Sequence, residues 1–309
     1  MIVTILKLFI SIIFAFKVNT QTYMYNYAEP NSDWTGICTT GQEQSPIDFP
    51  ANFTLFKEDK VVKVLATKYG PLANGLLNGT LSVVGNRYIF TGTNLGSIEI
   101  EKNGVRYSYD LVDISFHVPS EHTFFGYHGA LEMHINHKKN TDWLTLNSIS
   151  NADTRDSELK IAVIFKIGSY YENPNIARLN VATRSTDSVL NFNLGVFPPI
   201  GKPFFFYEGS LTEPACGEYV NWFVLHKMEL ISQNQYNAFQ EWISTTYTAL
   251  NVPTLSNARS TKPIYARSIY YQIYPNQQIV ELSSMNLRTS LLLLVLYTIF
   301  FYWDYIIIL

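Results

Sequence analysis

Side chains two residues apart on a β-strand share a face, and that rule gathers the polar chemistry of this chain into two short rows. In the strand-like run 106–118, Asp113, Ser115 and His117 look to one side. In the run 130–137, Glu132, His134 and Asn136 do the same. A His-x-His pair on one strand and a third histidine on its neighbour can cap a single tetrahedral metal ion. Here the two places on that face are Ser115 and His117, an alcohol beside an imidazole.

Further strand-like segments occupy 79–84, 87–91, 97–100, 159–167, 202–207 and 219–225, separated by Gly, Asn and Pro. The polar opening and spaced apolar residues of 232–247 predict a surface helix, and 175–180 a further turn or two. Long strands with few helices argue for one large twisted sheet with short peripheral helices. No repeat or low-complexity linker divides 21–278, so the reading is a single, mainly β domain over 21–280. With 47% apolar and 15% aromatic residues it can build a substantial core. A formal charge of −3 and no basic stripe leave a nucleic-acid partner without an electrostatic footprint.

Residues 1–20 carry Lys7, an apolar run from Leu8 to Phe16 and then small or polar residues, the pattern of a secretory signal. At the other end, 281–309 forms a hydrophobic tail, almost wholly apolar from Leu291 apart from Asp304. It reads as a lipid-anchor signal, for which Ser283 and Ser284 supply small residues, or as a membrane helix. Both place the domain at the outer face of the plasma membrane or in a vesicle lumen. Asn52-Phe53-Thr54 and Asn78-Gly79-Thr80, in loop-like surroundings, are glycosylation sequences.

Several motifs follow one another between about Trp34 and Arg267. They are Gln44-Ser45-Pro46-Ile47-Asp48; Ile114-Ser115-Phe116-His117 with Pro119-Ser120-Glu121-His122; and Glu132-Met133-His134. Then come Gly209-Ser210-Leu211-Thr212 with Pro214, Trp222-Phe223-Val224-Leu225, and Asn257-x-Arg259 with Pro263 and Arg267. In this order they resemble the α-class carbonic anhydrases. The resemblance implies a large twisted sheet, a zinc ion held by histidines, and reversible hydration of carbon dioxide to bicarbonate. It also implies a Cys38–Cys216 disulfide, in keeping with an even cysteine count in an exported chain.

By the same resemblance His117 and His134 are zinc ligands, and Glu132 accepts the other ring proton of His134. Thr212 would accept from a metal-bound hydroxide and donate to Glu121. A catalytic zinc usually has three protein ligands and one activated water, and Ser115 is a poor third donor. Asp113 stands where the family keeps a glutamine. It is a possible substitute, but lies about 6.6 Å further along the strand. His122 matches a structural histidine, and His128, between Gly126 and Gly129, reads as part of a solvated turn. Thr80 replaces the proton-shuttling histidine and Asn136 an apolar residue of the carbon dioxide pocket. A second pocket segment falls near Lys160-Ile161-Ala162, without a fixed register.

Two functions follow. One is a membrane-tethered binding or scaffold module for an unknown protein ligand, with zinc weak or absent. The other is a zinc-dependent carbonate dehydratase with a non-standard third ligand. A peptidase has no support, because Ser115, His117 and Asp113 share one strand without a nucleophile elbow.

Overall fold

The computed structural model describes residues 34–51, 56–58, 62–84, 87–142, 156–183, 188–249 and 256–272. The expected signal segment, the hydrophobic tail and Asn52 lie outside them. The chain divides after Gln272, and the described residues all belong to the first unit. Among them no helix is long and apolar enough to cross a membrane.

The strands are β1 (Asp48–Phe49), β2 (Phe56–Glu58), β3 (Val62–Tyr69), β4 (Leu76–Val84), β5 (Arg87–Gly92), β6 (Gly96–Lys102), β7 (Val105–His117) and β8 (Thr123–Phe124). They continue with β9 (Tyr127–His128), β10 (Leu131–Lys139), β11 (Glu158–Ser169), β12 (Ser188–Asn193), β13 (Phe204–Gly209), β14 (Val220–Leu225), β15 (Glu229–Ser232) and β16 (Ile269–Gln272). Among the described residues these strands are accompanied by the α-helices α1 (Ile37–Thr40), α2 (Pro174–Ala177) and α3 (Gln233–Ala249). Thirteen strands make one mixed sheet in the order β12-β4-β5-β7-β10-β11-β14-β13-β16-β2, with β15 on β11 and β6 bridging β3 to β7. The mainly β reading and the long central strands therefore hold.

Alternation divides the sheet into two chemically different faces. Ile114, Phe116, Met133, Ile135, Ile161, Val163 and Phe223 are fully buried on one of them. Helix α3 covers part of it: Phe239 meets Phe116 at 5.3 Å between ring centroids, and Trp242 meets Tyr88 at 5.0 Å. The opposite face carries the polar rows of β7 and β10, closed on one side by a cluster of Phe49, Phe124, Phe205, Tyr207, Trp222 and Val224.

Several strands escaped the sequence pattern. β12 has Asn191 at φ 57° and a register irregularity between Val189 and Phe192, which breaks the alternation. β15 and β16 are four residues each, too short to show a period. Asn78 is in β4 rather than a loop; it is exposed, and its Oδ1 accepts from the Asn191 amide at 2.9 Å. His128 closes the two-residue strand β9, exposed, with Nδ1 donating to the Ser120 carbonyl at 2.6 Å.

Cys38 and Cys216 are joined, with their Cα atoms 5.1 Å apart and a separation of 178 positions in the sequence. The bond packs against Trp34 beside the buried guanidinium of Arg259. That group donates to the carbonyls of Ser45 at 2.7 Å and Cys38 at 2.9 Å and to Gln44 Oε1 at 2.9 Å. The segments of Cys38, Gln44, Cys216 and Arg259 are thus tied at one corner. Replacing both cysteines by alanine should lower unfolding free energy by about 3–5 kcal/mol, the loop-closure value for so long a span. Urea denaturation of the two forms measures it, and equal midpoints would contradict it.

Candidate metal centre

Three cross-strand rows build the site. β7 pairs with β10 so that His117 faces Glu132, Ser115 faces His134 and Asp113 faces Asn136. The pairing of β10 with β11 adds Ile164, Ala162 and Lys160 to these rows, and β14 brings Trp222 beside Lys160. Sequence spacing anticipates the first two strands. It leaves Lys160 unread, although a lysine inside the apolar run Leu159–Phe165 was a signal.

His117 and His134 are both buried, their ring centroids 4.5 Å apart. His117 Nδ1 donates to the Asn257 carbonyl at 2.9 Å, while the Asn257 side chain accepts from Val118 N and donates to the Phe116 carbonyl. His134 Nε2 donates to Glu132 Oε1 at 2.6 Å. These bonds occupy the outer nitrogens and leave His117 Nε2 and His134 Nδ1 without hydrogen bonds among the described residues. Glu132 is itself held by the His122 amide at 2.8 Å and His122 Nδ1 at 2.6 Å, and His122 Nε2 reaches the Tyr207 hydroxyl at 2.7 Å. His122 is therefore a buried support for the site, as its sequence position suggests.

Ser115 Oγ accepts from Asn136 Nδ2 at 3.0 Å, and the same amide donates to Asp113 Oδ1 at 2.6 Å. Asp113 is thus engaged with Asn136. Glu121 approaches His117 Nδ1 at 3.5 Å and His134 Nε2 at 3.7 Å, but those nitrogens already serve Asn257 and Glu132. Among the described residues the donor set does not fit a catalytic zinc with three protein ligands: two imidazoles have an inner nitrogen without a hydrogen bond, and the β7 position facing His134 is a hydrogen-bonded alcohol.

Thr212 and Glu121 are both buried. Glu121 Oε1 accepts from Arg259 N at 2.9 Å, and Oε2 has no partner at hydrogen-bonding distance among the described residues. The Thr212 hydroxyl still lies near enough to favour the charged form of Glu121. Thr80 sits on β4, exposed, with its hydroxyl 3.5 Å from that of Thr91. It shares a face with Ser82, which aligns through Ile89 with Ser115.

Burial sets the charge states. It pushes His117 down to about 4 and His134 down to about 3, and His137, bonded to Tyr69, to about 3 as well. Burial, reinforced by the charge of Glu132, raises Glu121 to about 8. For Glu132 burial acts upward but is overcome by His122 and His134, which hold it well below the ordinary carboxylate range.

Each depressed histidine contributes stability that is complete above its unfolded value of 6.5 and is lost as pH falls toward 4 or 3. Glu121 acts oppositely, its contribution being lost as pH rises from 4.5 toward 8. The histidines outnumber it, so unfolding between pH 6.5 and 5 should take up roughly one to two protons. Stability should then fall by roughly 1.4–2.8 kcal/mol per pH unit. Urea denaturation across that range tests this, and a flat or rising stability toward pH 5 would contradict it.

A family model described as eukaryotic-type carbonic anhydrase matches residues 29–273. A carbonic anhydrase of Dunaliella salina is 25% identical over 84% of this chain, a match spanning 45% of that protein's own length. Dioscorin DB3S of Dioscorea polystachya is 27% identical over 86% of this chain and 93% of its own. Among solved structures, a halotolerant carbonic anhydrase from Dunaliella salina aligns with a TM-score of 0.60. It is 22% identical and covers 81% of this chain and 98% of that one. Carbonic anhydrase Cah3 from Chlamydomonas reinhardtii aligns at 0.58, with 23% identity over 81% of this chain and 100% of its own. With the matched region taking in the sheet, the disulfide and both imidazoles, this chain belongs to the eukaryotic-type carbonic anhydrase family.

Proposed function

We propose that the chain is an exported carbonic-anhydrase-fold binding module whose zinc chemistry is lost or strongly impaired. The observation carrying this reading is the Ser115 hydroxyl, bonded to Asn136 where a third imidazole would be needed. Two nitrogen donors hold zinc far more weakly than three, and both affinity and water activation depend on the ligand set. The replacements at Thr80 and Asn136 support the same reading, since a threonine cannot ferry protons near neutral pH and an amide favours water over an apolar gas.

The disulfide suits an oxidising, secretory compartment. The apolar sequence 291–309 supports attachment to the outer membrane face or a vesicle lumen. The partner on this reading is a protein ligand met outside the cytosol.

A second reading is a slow carbonate dehydratase. It is favoured by the support shell, since Asn257 and Glu132 still orient His117 and His134 with their inner nitrogens unspent.

Zinc titration and stopped-flow carbon dioxide hydration on the purified chain separate the two. The first predicts zinc binding weaker than that of Ser115→His by more than ~100-fold, the loss that changes around a ligand can already reach. It also predicts hydration at the uncatalysed rate. Because Ser115→His removes the acceptor of Asn136, Ser115→His with Asn136→Val is the companion variant, and one of the two should gain tight zinc. Stoichiometric zinc with rapid turnover in the natural chain would overturn the proposal.

A further inference from the structure

Asn78, Thr80 and Ser82 alternate along β4 with the buried Leu77 and Leu81, so the three share the opposite face of the strand. Cross-strand pairing carries that face across the sheet: Ser82 stands opposite Ile89, and Ile89 opposite Ser115. This part of β4 therefore belongs to the polar side that holds His117 and His134.

Asn78 is exposed, and its Oδ1 accepts from the Asn191 amide at 2.9 Å. That bond orients the side-chain amide and leaves Nδ2 without a hydrogen bond among the described residues. The neighbouring strand opens beside it. Val189 pairs with Gly79 and Phe192 with Leu77, so Leu190 and Asn191 both fall opposite Asn78. Such a bulge interrupts the ladder and gives a strand residue the open setting of a loop.

Packing explains Gly79, since a Cβ there would meet the Thr91 carbonyl oxygen at 2.0 Å. It does not explain the residues on either side. The bond to Asn191 uses only the oxygen of Asn78, and an aspartate would accept it equally. Thr80 is exposed with its hydroxyl 3.5 Å from that of Thr91, where a valine would suit a strand as well. The two unexplained groups, an amide nitrogen and a hydroxyl two residues on, are the two that an Asn-x-Thr acceptor requires.

We propose that Asn78 carries an N-linked glycan and that this glycan screens the β4 side of the polar face from large partners. In the transfer, a bond forms between Asn78 Nδ2 and the anomeric carbon of an oligosaccharide carried on a lipid pyrophosphate. The bond from that carbon to the pyrophosphate oxygen breaks, the pyrophosphate leaves with the electron pair, and one Nδ2 proton goes to base. Oδ1 keeps its bond to Asn191. The proposal rests on the reading of an exported chain and narrows it: a protein ligand meets the domain away from the β4 rim, while small molecules keep access to the polar face.

The test uses the full chain, expressed through a eukaryotic secretory pathway with Asn52→Gln to remove the other acceptor sequence. Mass spectrometry before and after peptide N-glycosidase should show one glycan, on Asn78. Thr80→Ala should lose it, and Thr80→Ser should keep it. Thr91→Cys then places a thiol opposite Thr80, and with Cys38 and Cys216 joined it is the one free thiol. A maleimide on a large polymer should react with it more slowly before enzymatic removal of the glycan than after, while iodoacetamide reacts equally in both states. Equal polymer rates would overturn the screening. An unmodified Asn78 on chain recovered from the secretory pathway, or a glycan that survives Thr80→Ala, would overturn the glycan itself. A chain held in the cytosol with residues 1–20 uncleaved would instead overturn the exported reading, and the proposal with it.

Discussion

The pairing of β7 with β10 sets His117 against Glu132, Ser115 against His134 and Asp113 against Asn136. A slip of one residue would send all six to the apolar face. The buried Ile114, Phe116, Met133 and Ile135 between them make that slip costly, because each would exchange the core for the polar side. Asn257 adds a second lock from 140 residues away, bonding Phe116, His117 and Val118 together at the end of β7. The same hydrophobic alternation that builds the sheet thus aims the imidazoles, and no separate scaffold is required.

Within that frame Ser115 belongs to a polar row of its own: Asn136 donates to both Ser115 and Asp113, so the three side chains form one hydrogen-bonded chain. Behind the two imidazoles, His122, Glu132 and Tyr207 form a buried network closed on both sides. Such a network has structural value whether or not a metal is bound, since each buried polar atom in it is satisfied. This explains how the outer shell can persist beside an incomplete donor set.

Much of this was legible in the sequence because it depends on period two. Asp113, Ser115, His117, Glu132, His134 and Asn136 could be assigned to shared faces from spacing alone, and motif order supplied the Cys38–Cys216 bond. Register between β10 and β11 could not be read, since some twenty residues separate the two strands and nothing local fixes their alignment. Lys160 therefore had no address until the fold placed it between Asn136 and Trp222. The irregular strand β12 was hidden by its bulge, and the setting of Asn78 was misjudged because its partner Asn191 belongs to that strand. What sequence misses here is long-range pairing, not local propensity.

Anomalous diffraction at the zinc edge, from crystals grown with excess zinc, addresses the missing donor most directly. The account predicts no ordered peak bound by three protein groups, and at most a weakly occupied one on His117 Nε2 and His134 Nδ1. A fully occupied ion bound by both imidazoles and a third protein side chain, with solvent in the fourth position, would contradict it.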